Sequence, residues 1–381
     1  MQIETKCLHE GYKPENGGPG VMPIVQSTTY RFDSTEKIAS LFDMPTECIY
    51  SRFANPTCDA VEKKIAALEG GVGAMLTTSG QAASLLSILN LCSAGDSFIA
   101  VSTIYGGTIN LFGVTLKKLG IECIWADAEA DEEEIQKLFK PNTKAVFGET
   151  LANPALTVFD IEKWANIAHK NNVPLIVDGG KFDWAASGKF PDFTEPDESY
   201  HGVVYTRDFG AMAYIIKARM QLMRDFGCYP SAHSAFLLNM GLETLPVRMK
   251  QYCENALTVA KFLEASDKIA SVRYPALPGN EHFERAKKYL PLGTSGVMSI
   301  DIKGGRAPAM KFMDSLKLAC NEVHVADIRT CVLHPASETH RQLTDEQLVA
   351  AGIEPGMVRI SVGLENVEDI IADLQQALAQ I

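Results

Sequence analysis

The chain has 381 residues, enough for two domains or for one large α/β domain with a smaller appendage. Its 46% hydrophobic and 22% charged content is ordinary for a soluble protein, and no apolar run nears the roughly eighteen residues of a membrane span. A formal net charge of −12 without any Lys/Arg block excludes a nucleic-acid binder, which needs a basic patch to displace counterions.

Met1 to Lys13 is polar, with no signal-peptide apolar block, so a cytoplasmic location is expected. Residues 1 to about 60 are rich in turn formers (Pro14, Gly17, Gly18, Pro19, Pro23, Pro56) and read as an arm rather than a domain. From there helix-like and strand-like segments alternate. Val61–Leu68 is helical, Gly73–Thr77 strand, Ala82–Cys92 helix, Ser97–Val101 strand, Leu111–Leu119 helix and Glu122–Trp125 strand. Glu132–Phe139 is helix, Ala145–Glu149 strand, Ile161–Lys170 helix and Pro174–Val177 strand. Short strands separated by helices imply βαβ crossovers and a mainly parallel sheet, with ligands at the strands' carboxyl ends. Beyond about residue 250, a long helix (Glu254–Ala265), a strand (Ser295–Ile302) and an amphipathic helix (Val367–Ala379) read as a smaller α+β domain. The nine cysteines are scattered, without a C-x-x-C pair, and read as reduced thiols; no Cys/His cluster suggests a metal.

Several chemistry-bearing residues fall just after strands. Thr78-Ser79-Gly80-Gln81 opens a helix, where unpaired N–H groups and the helix dipole make either a phosphate cradle or a plain helix cap. Asp178 follows Pro174-Leu175-Ile176-Val177, so its carboxylate either pairs with a cation such as a pyridinium nitrogen or caps a turn. Tyr105, before Gly106-Gly107, is either a stacking platform and proton carrier or a half-buried core tyrosine. Tyr50 and Arg52 suit phosphate recognition, or solvate a loop. Arg359 alternates with apolar neighbours on a strand and takes either a substrate carboxylate or an internal salt bridge. His334-Pro335-Ala336-Ser337 and Thr339-His340-Arg341 either shape the same pocket or, the favoured reading, pack a loop.

Together these motifs resemble the Cys/Met-metabolism family of pyridoxal-phosphate (PLP) enzymes, of the α/β aspartate-aminotransferase-like fold (PLP fold type I). The matching stretches are Tyr50-Ser51-Arg52, Asn55-Pro56-Thr57, Ser79-Gly80-Gln81, Tyr105-Gly106-Gly107, Asn153-Pro154, the strand ending in Asp178, His334 to Ser337, and Arg359 to Gly363. The stretch Phe193–Asp197 through Ser199–Gly202 is similar to an insert of the O-acetylhomoserine sulfhydrylase branch. The resemblance implies an arm (1–60) reaching a neighbouring subunit, a PLP-binding large domain (61–248) and a C-terminal domain (249–381). It implies that Ser79, Gly80 and Gln81 hold the cofactor phosphate, with Tyr50 and Arg52 arriving from a neighbouring subunit. Tyr105 would stack on the ring and assist proton transfer, Asn153 would bond its 3′-oxygen, Asp178 would pair with its nitrogen, and Arg359 would bind the substrate carboxylate. It also implies a homo-oligomer, a dimer at least and usually a tetramer. The implied reaction is γ-replacement of acetate on O-acetyl-L-homoserine by sulfide or a small thiol, in methionine biosynthesis; a methionine or cystathionine γ-lyase is the alternative.

One departure stands out. The family's Schiff-base lysine, in a Ser-x-(Thr/Ser)-Lys-Tyr motif, is absent, and Asp178 runs directly into Gly179-Gly180-Lys181-Phe182-Asp183-Trp184, which resembles family sequence from beyond the lysine. About forty residues are missing between Asp178 and Gly179 by this resemblance. Their loss would remove strands from the middle of the large sheet. The working protein is therefore expected to carry the segment, with Asp178 and Gly179 not spaced at the ~3.8 Å of a peptide bond. A true deletion would instead leave a non-catalytic binding or scaffold subunit. The run Glu322-Val323-His324-Val325-Ala326-Asp327 also departs from the family's usual pattern beside the substrate carboxylate.

Overall fold

The structure is a computed structural model that describes residues 1–43, 47–176, 181–339, 341, 344–350 and 353–381. The chain divides into two compact units, Met1–Gly148 with Ile161–Leu245, and Glu149–Asp160 with Pro246–Ile381. Residues 1–60 thus cluster with the first unit, and the short stretch 149–160 clusters with the C-terminal one.

In the first unit, helix α1 (Pro56–Glu69) starts where local chemistry dictates. Asn55 caps it by accepting from Thr57 N at 3.0 Å, Pro56 occupies the first turn, and Gly70 at φ 68° ends it in the left-handed conformation. The same Asn55 donates to Val25 O at 2.8 Å, and Thr57 Oγ1 donates to Pro23 O at 2.8 Å. The Asn-Pro-Thr run therefore both starts the helix and ties the arm to it. Cys58, Ala60 and Val61 on α1 bury against Met22 and against Ala235 of the later helix Ala232–Glu243.

Next come helix α2 (Gly80–Leu89), strand β1 (Ser97–Val101), strand β2 (Glu122–Ala126), strand β3 (Thr143–Phe147) and helix α3 (Ile161–Lys170). The strands lie in the order β2-β1-β3, all parallel, with Phe98 opposite Cys123 and Ile99 opposite both Ile124 and Val146. Every residue of β1 is buried, as a strand covered on both faces requires. Phe112 stacks edge-on between Phe98 and Phe147, each pair of centroids 4.9 Å apart.

Three expected elements differ. Gly73–Thr77 is not a strand but a loop, and among the described residues no strand pairs with it. Pro174–Val177 contributes only a parallel bridge from Leu175 to Val146, and Val177 lies outside the described residues. The helix expected over Leu111–Leu119 begins earlier, at Gly106, and passes through a π-type turn at Leu111–Thr115. A strand needs a neighbour for its backbone groups, and among the described residues no strand pairs with Gly73–Thr77 and only Val146 bridges to Leu175.

The expected insert folds back through aromatic stacking. Trp184 and Phe193 lie 4.5 Å apart and 6° from parallel, and Tyr214 continues the stack at 5.8 Å from Trp184. Asp197 accepts from Tyr205 Oη and Ser199 N, each at 2.9 Å; burial works against its ionised form, but these donors win and hold its carboxyl below the usual range.

The second unit is a five-stranded sheet, β4 (Ile269–Arg273), β5 (Val297–Ile302), β8 (Met357–Ser361), β7 (Cys331–Leu333) and β6 (Cys320–Asn321) in spatial order. Helices α4 (Leu245–Glu264), α5 (Arg306–Ser315) and α6 (Val367–Leu378) contribute to its core through Val259, Leu263, Phe312, Ile370 and Leu374. Val358 and Ile360 point into that core, so the period-2 alternation sends Met357, Arg359 and Ser361 to the opposite face.

Candidate cofactor and substrate site

The anion cradle is built by helix α2. Ser79 is its N-cap, with Oγ accepting from Ala82 N at 3.1 Å, and Ala83 N bonds to Ser79 O at 3.1 Å. The N–H groups of Gly80 and Gln81 remain as first-turn donors with no acceptor inside the helix. A Cβ built at Gly80 would meet nothing within 4 Å, so there is open space beside the first turn. Thr77 Oγ1 donates to Ser79 O at 2.9 Å, fixing the entry to the helix.

Tyr105 stands beside this cradle. Gln81 Nε2 donates to Thr108 Oγ1 at 3.0 Å, joining α2 to the turn that Tyr105 opens, and the Tyr105 side chain is half exposed. A Cβ at Gly107 would lie 2.5 Å from Tyr105 Cε1, so only glycine lets the ring take this position. The sequence singled out Tyr105 and Gln81 but not Thr108, which follows Tyr-Gly-Gly and is the link between them.

Tyr50 and Arg52 also sit in the first unit, with the Arg52 guanidinium 5.3 Å from the Tyr50 ring centroid. They are steadied by a buried network that the sequence reading missed. Arg219 donates to Phe53 O at 2.7 Å and pairs with Glu62 Oε2 at 2.5 Å, while Glu62 Oε1 accepts from Leu76 N at 2.8 Å. Burial pushes the Glu62 carboxyl up, against the pull of Arg219. The pair lines a mostly apolar cavity of about 490 Å³ with Leu41, Phe42, Val72 and Ile215.

The second unit brings Asn153 and Arg359 to one face of its sheet. Ser299 is in register with Arg359, and its hydroxyl donates at 2.7 Å to the carbonyl of Pro154, whose peptide bond with Asn153 is cis. Arg359 is buried, with Nη2 donating to His324 O at 2.6 Å. The unusual run around His324 is pinned to the same strand, because Ala326, left-handed at φ 62°, donates its N–H to Ser361 Oγ at 2.9 Å. His334 is buried with Nε2 2.9 Å from Pro355 O, and burial lowers its pKa. Ser299 was invisible as a support in the sequence; its one signal is a polar residue alternating with apolar ones along β5.

Asp178 lies outside the described residues, as do Gly179 and their spacing. Among the described residues two lysines are buried. Lys64 is 3.9 Å from Glu243 Oε1, and Lys217 lies 5.1 Å from the Phe193 ring centroid. Lys217 belongs to the helical segment Ala213–Lys217, whose Tyr214 bonds to Ser87 and Asn90. The Ser79–Gln81 turn offers donors that suit the phosphate of PLP, and no lysine of the sequence lies in the family's Ser-x-(Thr/Ser)-Lys-Tyr motif.

A parallel α/β sheet with a phosphate-type cradle opening a helix, joined in sequence to an α+β unit that carries a buried arginine, is the class of the fold type I PLP enzymes. The chain belongs to the Cys/Met metabolism PLP-dependent enzyme family, whose model matches residues 4–182 and 198–379. The unmatched residues 183–197 overlap the insert. The O-acetyl-L-homoserine sulfhydrylase of Leptospira meyeri is 39% identical over 99% of this chain and 97% of its own. The O-acetyl-L-homoserine sulfhydrylase 1 of Thermus thermophilus is 39% identical over 100% of both. A crystal structure assigned as an O-acetylhomoserine (thiol)-lyase from Campylobacter jejuni, holding N'-pyridoxyl-lysine-5'-monophosphate, superposes with a TM-score of 0.93 at 32% identity, covering 100% of both chains. The first two alignments run over 429 and 425 positions against 381 residues here, so each relative has at least 44 positions without a counterpart in this chain. That deficit is of the size the sequence reading places after Asp178.

Proposed function

We propose that the protein works as an O-acetylhomoserine sulfhydrylase, replacing the acetate of O-acetyl-L-homoserine with sulfide or a small thiol to give homocysteine or methionine. The likeness to relatives of that name over nearly the whole chain carries this reading. In this family bound PLP supplies an electron sink. The chain's own contribution starts at the cradle, where the Ser79 hydroxyl and the Gly80 and Gln81 N–H groups receive the phosphate. Tyr105 would stack on the ring and carry a proton near Cγ of the substrate, Asn153 would take the ring's 3′-oxygen, Asp178 would pair with its nitrogen, and Arg359 would receive the substrate carboxylate. Tyr50 and Arg52 complete the site of a neighbouring subunit, so the protein is at least a dimer and, on family precedent, a tetramer, working in the cytoplasm.

The lysine comes, on this reading, from the segment of about forty residues that the working protein carries after Asp178. A specific observation favours a second reading, a non-catalytic subunit: the 381 residues contain no lysine in the family motif. Incubating protein purified from its source with O-acetylhomoserine and sulfide separates the cases. Homocysteine supports the sulfhydrylase, 2-oxobutyrate a γ-lyase, and neither product the non-catalytic subunit.

A further inference from the structure

On the sheet of the second unit, two buried side chains donate to one backbone carbonyl. Val332 and Ile360 belong to the core, so Cys331, Arg359 and Ser361 share the opposite face, with Cys331 in register with Ser361 and Leu333 with Arg359. The Cys331 thiol donates to His324 O at 3.3 Å, and Arg359 Nη2 donates to the same oxygen at 2.6 Å. Ser361 Oγ accepts from Ala326 N at 2.9 Å, so the run is tied down on either side of Val325. Both donors to His324 are out of solvent, Cys331 being 1% exposed and Arg359 6%. Burial pushes the Cys331 thiol up, against the pull of the Arg359 charge, which keeps it protonated and able to donate.

We propose that Cys331 is a positioning residue for carboxylate recognition: its thiol shares the His324 carbonyl with Arg359, fixes that oxygen, and so fixes the plane in which the guanidinium meets the substrate carboxylate. The proposal rests on the reading of Arg359 as the receiver of that carboxylate. A carbonyl oxygen has two lone pairs, one for each donor. With the thiol in place, Nη2 is engaged at a fixed point, and the planar, rigid guanidinium is held in one orientation. Without it, the oxygen is held by Arg359 alone, and the ordering of both falls to the incoming carboxylate and weakens its binding.

The test uses the protein expressed from its own gene, with its cofactor, and two probes that carry no leaving group, L-norleucine and L-norleucinamide, read by titration calorimetry. The parent should bind the acid at least about tenfold more tightly than the amide, which cannot form a charge-assisted pair. Cys331→Val stays apolar and suits a strand but has no donor. It should melt close to the parent yet cut the acid-over-amide preference about three- to tenfold, the effect of losing one hydrogen bond of ordinary net strength. Cys331→Thr has the shape of valine with a donor restored; it buries a hydroxyl, so it should melt below Cys331→Val and still recover most of the preference. A role in stability alone gives the reverse order, with the less stable variant losing the more.

An unchanged preference in Cys331→Val would overturn the proposal and leave Arg359 as the carboxylate receiver, and so would a threonine variant that loses as much preference as the valine one. A parent that does not prefer the acid would overturn the proposal together with the carboxylate reading of Arg359. The readout is binding, so a failure to make homocysteine would sink the sulfhydrylase reading without deciding the role of Cys331, which the two probes decide.

Discussion

Arg219→Met tests whether the buried Glu62–Arg219 pair organises the loop leading into the cradle. Both side chains are largely buried, 8% exposed for Glu62 and 14% for Arg219, and their N···O separation is 2.5 Å. Replacing the arginine strands a buried carboxylate and releases the Phe53 carbonyl, so about 3–5 kcal/mol should be lost. All three tryptophans, Trp125, Trp164 and Trp184, lie in the first unit, so urea unfolding followed by their fluorescence reports on it. The pH dependence has a fixed sign. Burial raises the folded-state pKa of Glu62 above the roughly 4.3 of an unfolded glutamate, and without Arg219 it rises further. The protonated form then favours the folded state, a contribution complete below the unfolded value and lost as pH rises through the folded one. The deficit of Arg219→Met should therefore shrink from pH 8 to pH 5, and Glu62→Gln in the same chain should relieve much of it. A loss under about 1 kcal/mol at pH 8, or a deficit that grows on acidification, would refute the reasoning.

Asp373 accepts from the N–H groups of Lys317, Leu318 and Ala319 at 2.8–2.9 Å; burial works against its charge, but these donors hold its carboxyl below the usual range. Asp373→Ala should cost about 3 kcal/mol and speed amide exchange at 317–319. The parent should keep this contribution above the unfolded aspartate value of about 3.9 and lose it as pH falls through the lower folded value; a pH-independent difference between parent and variant down to pH 2 would count against it. Gly107→Ala should displace the Tyr105 ring, a built Cβ standing 2.5 Å from it, and weaken pyridine phosphates severalfold with little change in melting temperature. Ala326→Gly should stabilise the second unit by about 0.5–1 kcal/mol, since alanine is strained at φ 62°; destabilisation would show that this turn is not strained.

Local signals in the sequence carried far. The cap at Ser79 and the strand Ser97–Val101 are encoded within a few residues, and the structure places both where pattern and capping chemistry put them. What depends on distant partners was not legible. Gly73–Thr77 has the composition of a strand but, among the described residues, no strand to pair with, and Leu175 makes a single bridge. Glu62 and Arg219 are 157 residues apart, and neither position betrays the other. Ser299 reaches Pro154 across 145 residues, so its support of the Asn153 turn emerges only from the register of β5 with β8.

The most direct test of the sulfhydrylase reading is the intact mass of the protein from its own source after borohydride reduction. The expected result is a chain several kilodaltons above 41.5 kDa with one pyridoxyl group on a lysine. A mass of 41.5 kDa without an adduct would contradict it, and the non-catalytic subunit would take the place of the sulfhydrylase.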